Sequence, residues 1–121
     1  MSGIKLIEDF IAAWNRLDMA AVEGAMAPDV FYHNIPMEPV TGLEGFRAFI
    51  AQMPADSAHW ELHAIAENGR FVLTERTDNF VLRGGKKISI RVMGTFEIEN
   101  GKIKAWRDYF DLGQLSSQLG G

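Results

Sequence analysis

Three glycine-containing turn signals divide the second half of the chain into strands. They are Asn68-Gly69, Gly84-Gly85 and Asn100-Gly101. Such pairs supply the positive φ angles that tight hairpin turns require. Between the turns, apolar and polar side chains alternate with a period of two, which is typical of half-buried strands. The pattern predicts a meander of four strands: Ala58 to Glu67, Arg70 to Leu82, Lys86 to Glu99 and Lys102 to Asp111.

Helical periodicity replaces this alternation in the first half of the chain. Apolar residues recur at helical spacing in three segments. The segments are Ile4 to Leu17, Val22 to Met26 after the N-cap candidate Asp18, and a helix opened by the capping-box pair Thr41 and Glu44. A short strand is predicted from Val30 to Asn34. We therefore expect an α+β domain over residues 1–121, in which a curved mixed or antiparallel sheet packs against three helices from the N-terminal half.

Two further features complete the fold prediction. Gly94 lies inside the third long strand, where it marks either a bend of the sheet or a close packing contact. The segment from Leu112 to Gly121 is predicted to be a short tail with Leu115 and Leu119 docked and its last residues frayed. A bent sheet covered by helices would enclose an apolar pocket, the usual form of a small-molecule site.

Composition and charge exclude several classes of protein. The chain has 121 residues, a formal net charge of −4 and no cysteine. An acidic balance disfavours nucleic acid as a partner, because phosphates require a basic surface. No apolar run is long enough to span a membrane, and disulfide or thiolate chemistry is excluded. We expect a cytoplasmic protein with neither nucleic acid nor membrane as a partner.

Metal binding is not expected from the sequence either. The three histidines are His33, His59 and His63, and their spacing matches no usual zinc pattern. We therefore predict neither a metal nor another cofactor.

Charged residues occupy the apolar face of two predicted strands. Arg76 and Asp78 share a face with Phe80 in the second long strand. In the last strand, Asp108 lies between Trp106 and Phe110 on one face. Buried charges are unfavourable unless they are paired, so this pattern indicates either a functional cluster or a solvated ion pair of little consequence. For Asp108 a further alternative is a structural hydrogen bond from the Trp106 indole.

Two polar residues also share one face of the first predicted strand. Tyr32 and Asn34 are two residues apart and therefore lie on one face. They are candidates for a site, or they stabilise the loop that follows the strand.

These residues resemble a known family. Tyr32-His33-Asn34, Glu75-Arg76-Thr77-Asp78 and the run Trp106 to Asp111 are similar to limonene-1,2-epoxide hydrolase and its relatives. The helix-helix-strand opening and the meander resemble the wider nuclear transport factor 2 superfamily, which implies a cone-shaped fold. The resemblance covers about Ile4 to Leu112 and implies a homodimer.

The resemblance also implies roles for the five polar residues. Asp78 would be the general acid and Asp108 the general base, while Tyr32 and Asn34 hold the attacking water. Arg76 would bridge the two carboxylates. The implied reaction is one-step hydrolysis of a hydrophobic epoxide to a vicinal diol without a cofactor.

Two other classes use the same scaffold. Ketosteroid isomerases and polyketide cyclases share this scaffold and use an aspartate base near the first loop. At about that position this chain has Asn34, and the nearest carboxylate is Glu38. A non-catalytic ligand-binding protein is the third class, and it would not need all five polar residues together.

Overall fold

The computed structural model describes residues 3–120, which form a six-stranded sheet with helices packed against it. In chain order the elements are α1 Gly3–Asn15, α2 Met19–Gly24, β1 Met26–Asn34, β2 Val40–Thr41, α3 Gly42–Ala51, β3 Ala55–Asn68, β4 Phe71–Leu82, β5 Lys87–Glu99, β6 Lys102–Tyr109 and α4 Leu112–Gly120. The strand order is β2-β1-β6-β5-β4-β3. Neighbouring strands are antiparallel except β1 and β6, which run parallel. The predicted α+β class and the mixed, curved sheet are confirmed.

The core lies between α1 and the inner face of the sheet. Phe10 and Trp14 of α1 contact Trp60 of β3 and Trp106 of β6, with ring centroids 5.2–6.4 Å apart. Burial of large aromatic rings is a major source of stability in a domain of this size. The helix that follows begins where the sequence predicts, because Asp18 accepts a hydrogen bond from the Ala21 amide at 3.1 Å.

Of two tight turns, one lies where the sequence predicts and the other is displaced by one residue. Asn100 and Gly101 both have positive φ, as the predicted turn requires. The β3–β4 turn lies one residue further along, because Asn68 still pairs with Phe71 and the loop is formed by Gly69 and Arg70. Gly69 has a φ of +60° at the first loop position, which glycine adopts without strain. The predicted Asn68-Gly69 turn was therefore wrong by one residue.

The predicted capping box at α3 was wrong. Thr41 does precede the helix, but its side chain makes no capping hydrogen bond. Thr41 is still the last residue of β2 and pairs with Phe31, so strand geometry sets the direction of its side chain. The chain then enters the helix through Gly42, whose φ is +78°.

The first strand is longer than predicted and begins at Met26. The prediction ended a helix at this residue because Pro28 follows it. In the structure Pro28 lies within β1, where the pairing with β6 is interrupted between Met26 and Phe31. A proline is tolerated there because no regular ladder hydrogen bond is lost.

The C-terminal segment forms the helix Leu112–Gly120 where a short tail with frayed last residues was predicted, and Gly121 lies outside the described residues. Leu115 and Leu119 pack against Ile88 and Ile90, which confirms their predicted docking. The Gln118 side chain bonds the Ser89 backbone amide and carbonyl at 2.6 and 2.8 Å. These contacts satisfy part of the β5 edge that the shorter β6 leaves unpaired, which explains why the segment is ordered.

Candidate active site

Strand β4 carries the charged part of the site on its inner face. Thr74, Arg76 and Asp78 are each buried, with 1–3 % of their surface exposed, and the residues between them point outward. The alternation follows from the two-residue period of the strand. The alternative of a solvated Arg76–Asp78 ion pair was therefore wrong.

The Arg76 guanidinium joins two carboxylates from different strands. Nε and Nη2 donate to the two oxygens of Asp78 at 3.0 and 2.8 Å. Nη2 also donates to Oδ2 of Asp108 at 3.0 Å. Its remaining nitrogen, Nη1, donates to Oγ1 of Thr74 at 3.0 Å. The planar fork of arginine allows this bidentate geometry, which lysine does not offer.

Aromatic rings surround this ion cluster. The guanidinium carbon of Arg76 lies 4.5 Å from the Trp60 ring centroid, within the range of a cation–π contact. The Trp106 indole donates from Nε1 to Oδ1 of Asp108 at 2.8 Å. The structural bond considered for Asp108 therefore exists, and it holds one carboxylate oxygen while Oδ2 faces Arg76.

The parallel pairing of β1 with β6 brings the remaining polar residues to the same place. Tyr32 lies opposite Trp106 in the register, and Asn34 lies opposite Asp108. Both Tyr32 and Asn34 are buried. The Ile35 amide also donates to the Asp108 carbonyl at 2.8 Å, which extends the pairing past the end of β1. The structure therefore brings together all five residues singled out in the sequence.

Burial and neighbouring charges alter the acidity of three of these groups. Burial raises the pKa of Asp78 above its usual value, although Arg76 opposes this effect. Burial followed by the Asp108 charge raises the pKa of Tyr32, so its hydroxyl stays protonated. Burial disfavours the charged form of Arg76, but Asp108 and Asp78 outweigh it and raise the pKa of the guanidinium. A fixed cation thus lies beside a carboxyl group whose pKa is raised by burial.

The polar cluster forms part of the wall of an apolar cavity of about 350 Å³. Tyr32, Asn34, Asp78 and Asp108 line the cavity, whereas Arg76 lies behind the carboxylates with its side chain fully buried. Most of the remaining wall is apolar and comes from residues such as Phe49, Ile50, Phe80, Leu82, Ile90, Val92 and Phe110. A small cavity with a few convergent polar groups is typical of a site for one apolar molecule.

Sequence reasoning missed Thr74 as a neighbour of Arg76, and it named Gly94 only as a bend or a close packing contact. Thr74 shares the inner face of β4 and accepts a hydrogen bond from the guanidinium. Gly94 lies opposite both Thr74 and Asp108 in the sheet register. The two-residue period could have placed Thr74 on this face, but the reach of Arg76 across β5 depends on the folded sheet.

Neither a metal site nor a membrane-spanning helix is found in residues 3–120. No three side chains among His, Cys, Asp and Glu cluster closely enough there to hold a metal ion. The described helices are also too short or too polar to cross a bilayer.

Comparison with known proteins identifies the family to which this arrangement belongs. Residues 1–120 match the family model of the limonene-1,2-epoxide hydrolase catalytic domain. The chain belongs to the limonene-1,2-epoxide hydrolase family. It is 32 % identical over 107 residues to epoxide hydrolase EphG of Mycobacterium tuberculosis, a match that covers 88 % of this chain and 71 % of EphG.

Solved structures of similar proteins have the same fold as this chain. A limonene epoxide hydrolase-like enzyme from M. tuberculosis superposes with a TM-score of 0.83 and 30 % identity, covering 96 % of this chain and 87 % of that one. An NTF2-like protein of unknown function from Burkholderia pseudomallei superposes with a TM-score of 0.86 and 19 % identity, covering 100 % of both chains. The second match concerns the fold alone. The predicted NTF2-like fold and epoxide hydrolase family are therefore confirmed.

Proposed function

We propose that this family member hydrolyses a small or medium-sized hydrophobic epoxide to a vicinal diol, in one step and without a cofactor. The observation that carries the proposal is the bridge from Arg76 to both Asp78 and Asp108 in the wall of an apolar cavity. Opening an epoxide with water requires one proton donor and one proton acceptor. Two carboxyl groups beside a single cation can supply both, because sharing one proton leaves the cluster neutral.

Each polar residue has a role in this proposal. Asp78 protonates the epoxide oxygen, and its raised pKa favours the acid form that this step needs. Asp108 removes a proton from the attacking water. Asn34 pairs with Asp108 in the sheet, and with Tyr32 it holds that water. Arg76 touches neither reactant and keeps the two carboxylates at a fixed separation.

The proposal predicts the direction of the pH dependence. Asp78 must be protonated to act as an acid, so activity is present below its pKa and is lost as the pH rises through it. Because burial raises that pKa, we expect the loss to lie above the usual range of an aspartate. The pH profile of kcat measures this loss of activity at high pH directly.

A panel of epoxides incubated with the purified protein tests the activity. Formation of diol from terpene, cyclic, aliphatic or styrene-like epoxides would support the proposal and rank the substrates. No diol from any of them, together with a double-bond shift in a 3-oxo-Δ5-steroid, would instead favour the isomerase alternative. The cavity of about 350 Å³ favours compact substrates over long-chain ones.

A single turnover in ¹⁸O-labelled water tests the one-step mechanism. With enzyme in excess, direct attack by water places the label in the first diol and leaves the protein unlabelled. An ester intermediate would give an unlabelled first diol and transfer ¹⁸O to an aspartate. We expect the first result, because in this proposal Asp108 acts as a base on water and does not attack the epoxide. Mass spectrometry of the diol and of peptides containing Asp78 or Asp108 separates the two routes.

We also propose that two copies of the chain associate through the outer face of the sheet. Leu73, Met93 and Tyr109 are 40–51 % exposed on the adjacent strands β4, β5 and β6. Glu75 and Arg91 are exposed on the same face and carry opposite charges. A two-fold axis can pair each carboxylate with the guanidinium of the other copy, which makes the face self-complementary.

Met93→Arg tests this interface. The substitution adds a charge at the centre of the proposed contact, so we expect sedimentation equilibrium to show a shift from twice the chain mass to the chain mass. Leu112→Arg is the matched control, because Leu112 is exposed to 41 % but lies in α4. Equal masses for wild type and Met93→Arg would contradict the proposal.

A cytoplasmic location stays a prediction from the sequence.

A further inference from the structure

Two consecutive hydrogen bonds link the Arg76 guanidinium to the backbone of β5 without involving the cavity wall. Nη1 donates to Thr74 Oγ1 at 3.0 Å, and the Thr74 hydroxyl donates to the Gly94 carbonyl at 3.3 Å. Thr74 is 1 % exposed and is not part of the cavity wall. Its hydroxyl therefore connects the guanidinium to the backbone of β5 without contacting a bound substrate.

Gly94 provides the space in which Arg76 reaches Asp108. A Cβ atom at this position would overlap Nη1 of Arg76 and Oδ1 of Asp108, and it would lie 3.3 Å from Thr74 Oγ1. The backbone of Gly94 does not have a positive φ, so conformational freedom does not explain the glycine. The lack of a side chain does, because the ion cluster crosses β5 directly over this residue.

We propose that Thr74 and Gly94 are positioning residues that hold the Arg76 fork in the orientation that bridges Asp78 and Asp108. This inference rests on the proposed function for its effect on rate, but not for its effect on the cluster itself. Without the Thr74 oxygen, a buried N–H of Arg76 has no acceptor, and the guanidinium is free to tilt. A tilt changes its distance to both carboxylates at once, since Nη2 serves both.

Thr74→Val removes the hydroxyl with almost no change in shape. We expect kcat to fall about 10- to 100-fold, the range for loss of a hydrogen bond to a charged group. KM should change less than about threefold, because the residue does not contact substrate. Thr74→Ser keeps the hydroxyl and should restore kcat to within about threefold of wild type. Thr77→Val is the matched control, since it makes the same substitution on the outer face of the same strand.

A merely structural role for Thr74 would lower thermal stability without moving the titration of the site. The charged groups acting on Asp78 are Arg76 from its own strand and Asp108 from β6, with Tyr32 of β1 in the same cluster. A poorly aligned guanidinium stabilises the Asp78 carboxylate less, so its pKa should rise further in Thr74→Val. We expect the alkaline limb of the kcat profile to move to higher pH, and the ¹³C side-chain resonance of Asp78 to titrate at higher pH.

Gly94→Ala tests the positioning of Arg76 by a substitution in β5 and not in β4. The methyl group must displace either the guanidinium or the Asp108 carboxylate, and we expect kcat to fall about 100-fold, as for a small misplacement of reacting groups. Thr74→Ala carries the same expectation as Thr74→Val and replaces it if the valine variant does not fold by circular dichroism.

The outcomes separate this inference from the proposed function. A folded Thr74→Val variant with wild-type kcat and an unchanged Asp78 titration would overturn the positioning role. If the wild type forms no diol from any epoxide, the proposed function fails, while the ¹³C titrations of wild type, Thr74→Val and Gly94→Ala still decide the inference.

Discussion

Asp78→Asn and Asp108→Asn are each expected to remove most of the diol-forming activity from a protein that still folds. An amide has the size and hydrogen-bonding groups of the carboxyl group but can neither deliver nor accept the reacting proton. Loss of one positioned proton transfer lowers kcat by about 10²- to 10⁴-fold. Both residues line the cavity, so both can contact the reactants directly.

The double variant provides the sharper test of a concerted step. If the acid and the base act together, removing the second group after the first should lower kcat little further, because the effects of a functional unit are not additive. Asp56→Asn is the matched control, since Asp56 is exposed and lies outside the cavity wall. Circular dichroism and kcat should be measured for the wild type and all four variants. Near-normal activity in either folded single variant would remove that aspartate from the site.

Arg76→Lys is expected to reduce both activity and stability strongly, although the charge is conserved. Arg76 makes four hydrogen bonds to three side chains in a buried position. An ammonium group cannot reproduce the planar fork, so at least one carboxylate loses its partner. Breaking a buried ion pair by removing one partner costs about 3–5 kcal/mol, and a lysine that keeps one contact should lose part of that amount.

The rate effect follows from the same geometry. With the two carboxylates no longer held by one nitrogen, we expect kcat to fall by about 10²-fold or more and the pH profile to move. Arg83→Lys is the control, because Arg83 is an exposed turn residue. Steady-state kinetics and the melting temperature measure the two effects separately. A kcat close to that of wild type would show that the bridge is not needed for the reaction.

Local sequence patterns were sufficient for most of the secondary structure. Side-chain alternation is a property of each strand by itself, and it correctly placed Arg76 and Asp78 on the buried face of β4. The prediction failed where longer-range contacts compete with local signals. Thr41 has the sequence of a helix cap but is held in β2, and the last segment becomes a helix because Gln118 and Leu115 find partners on β5.

The order of residues along each strand was enough to find the polar side chains on apolar faces, and their combination pointed to the epoxide hydrolase family. How these side chains meet depends on the folded sheet. Asn34 and Asp108 are far apart in the chain and become neighbours through the parallel pairing of β1 and β6. Arg76 reaches Asp108 because the intervening strand carries Gly94 at the crossing point. Such contacts depend on strand order and side-chain reach, and neither is encoded in the local periodicity from which strands are predicted.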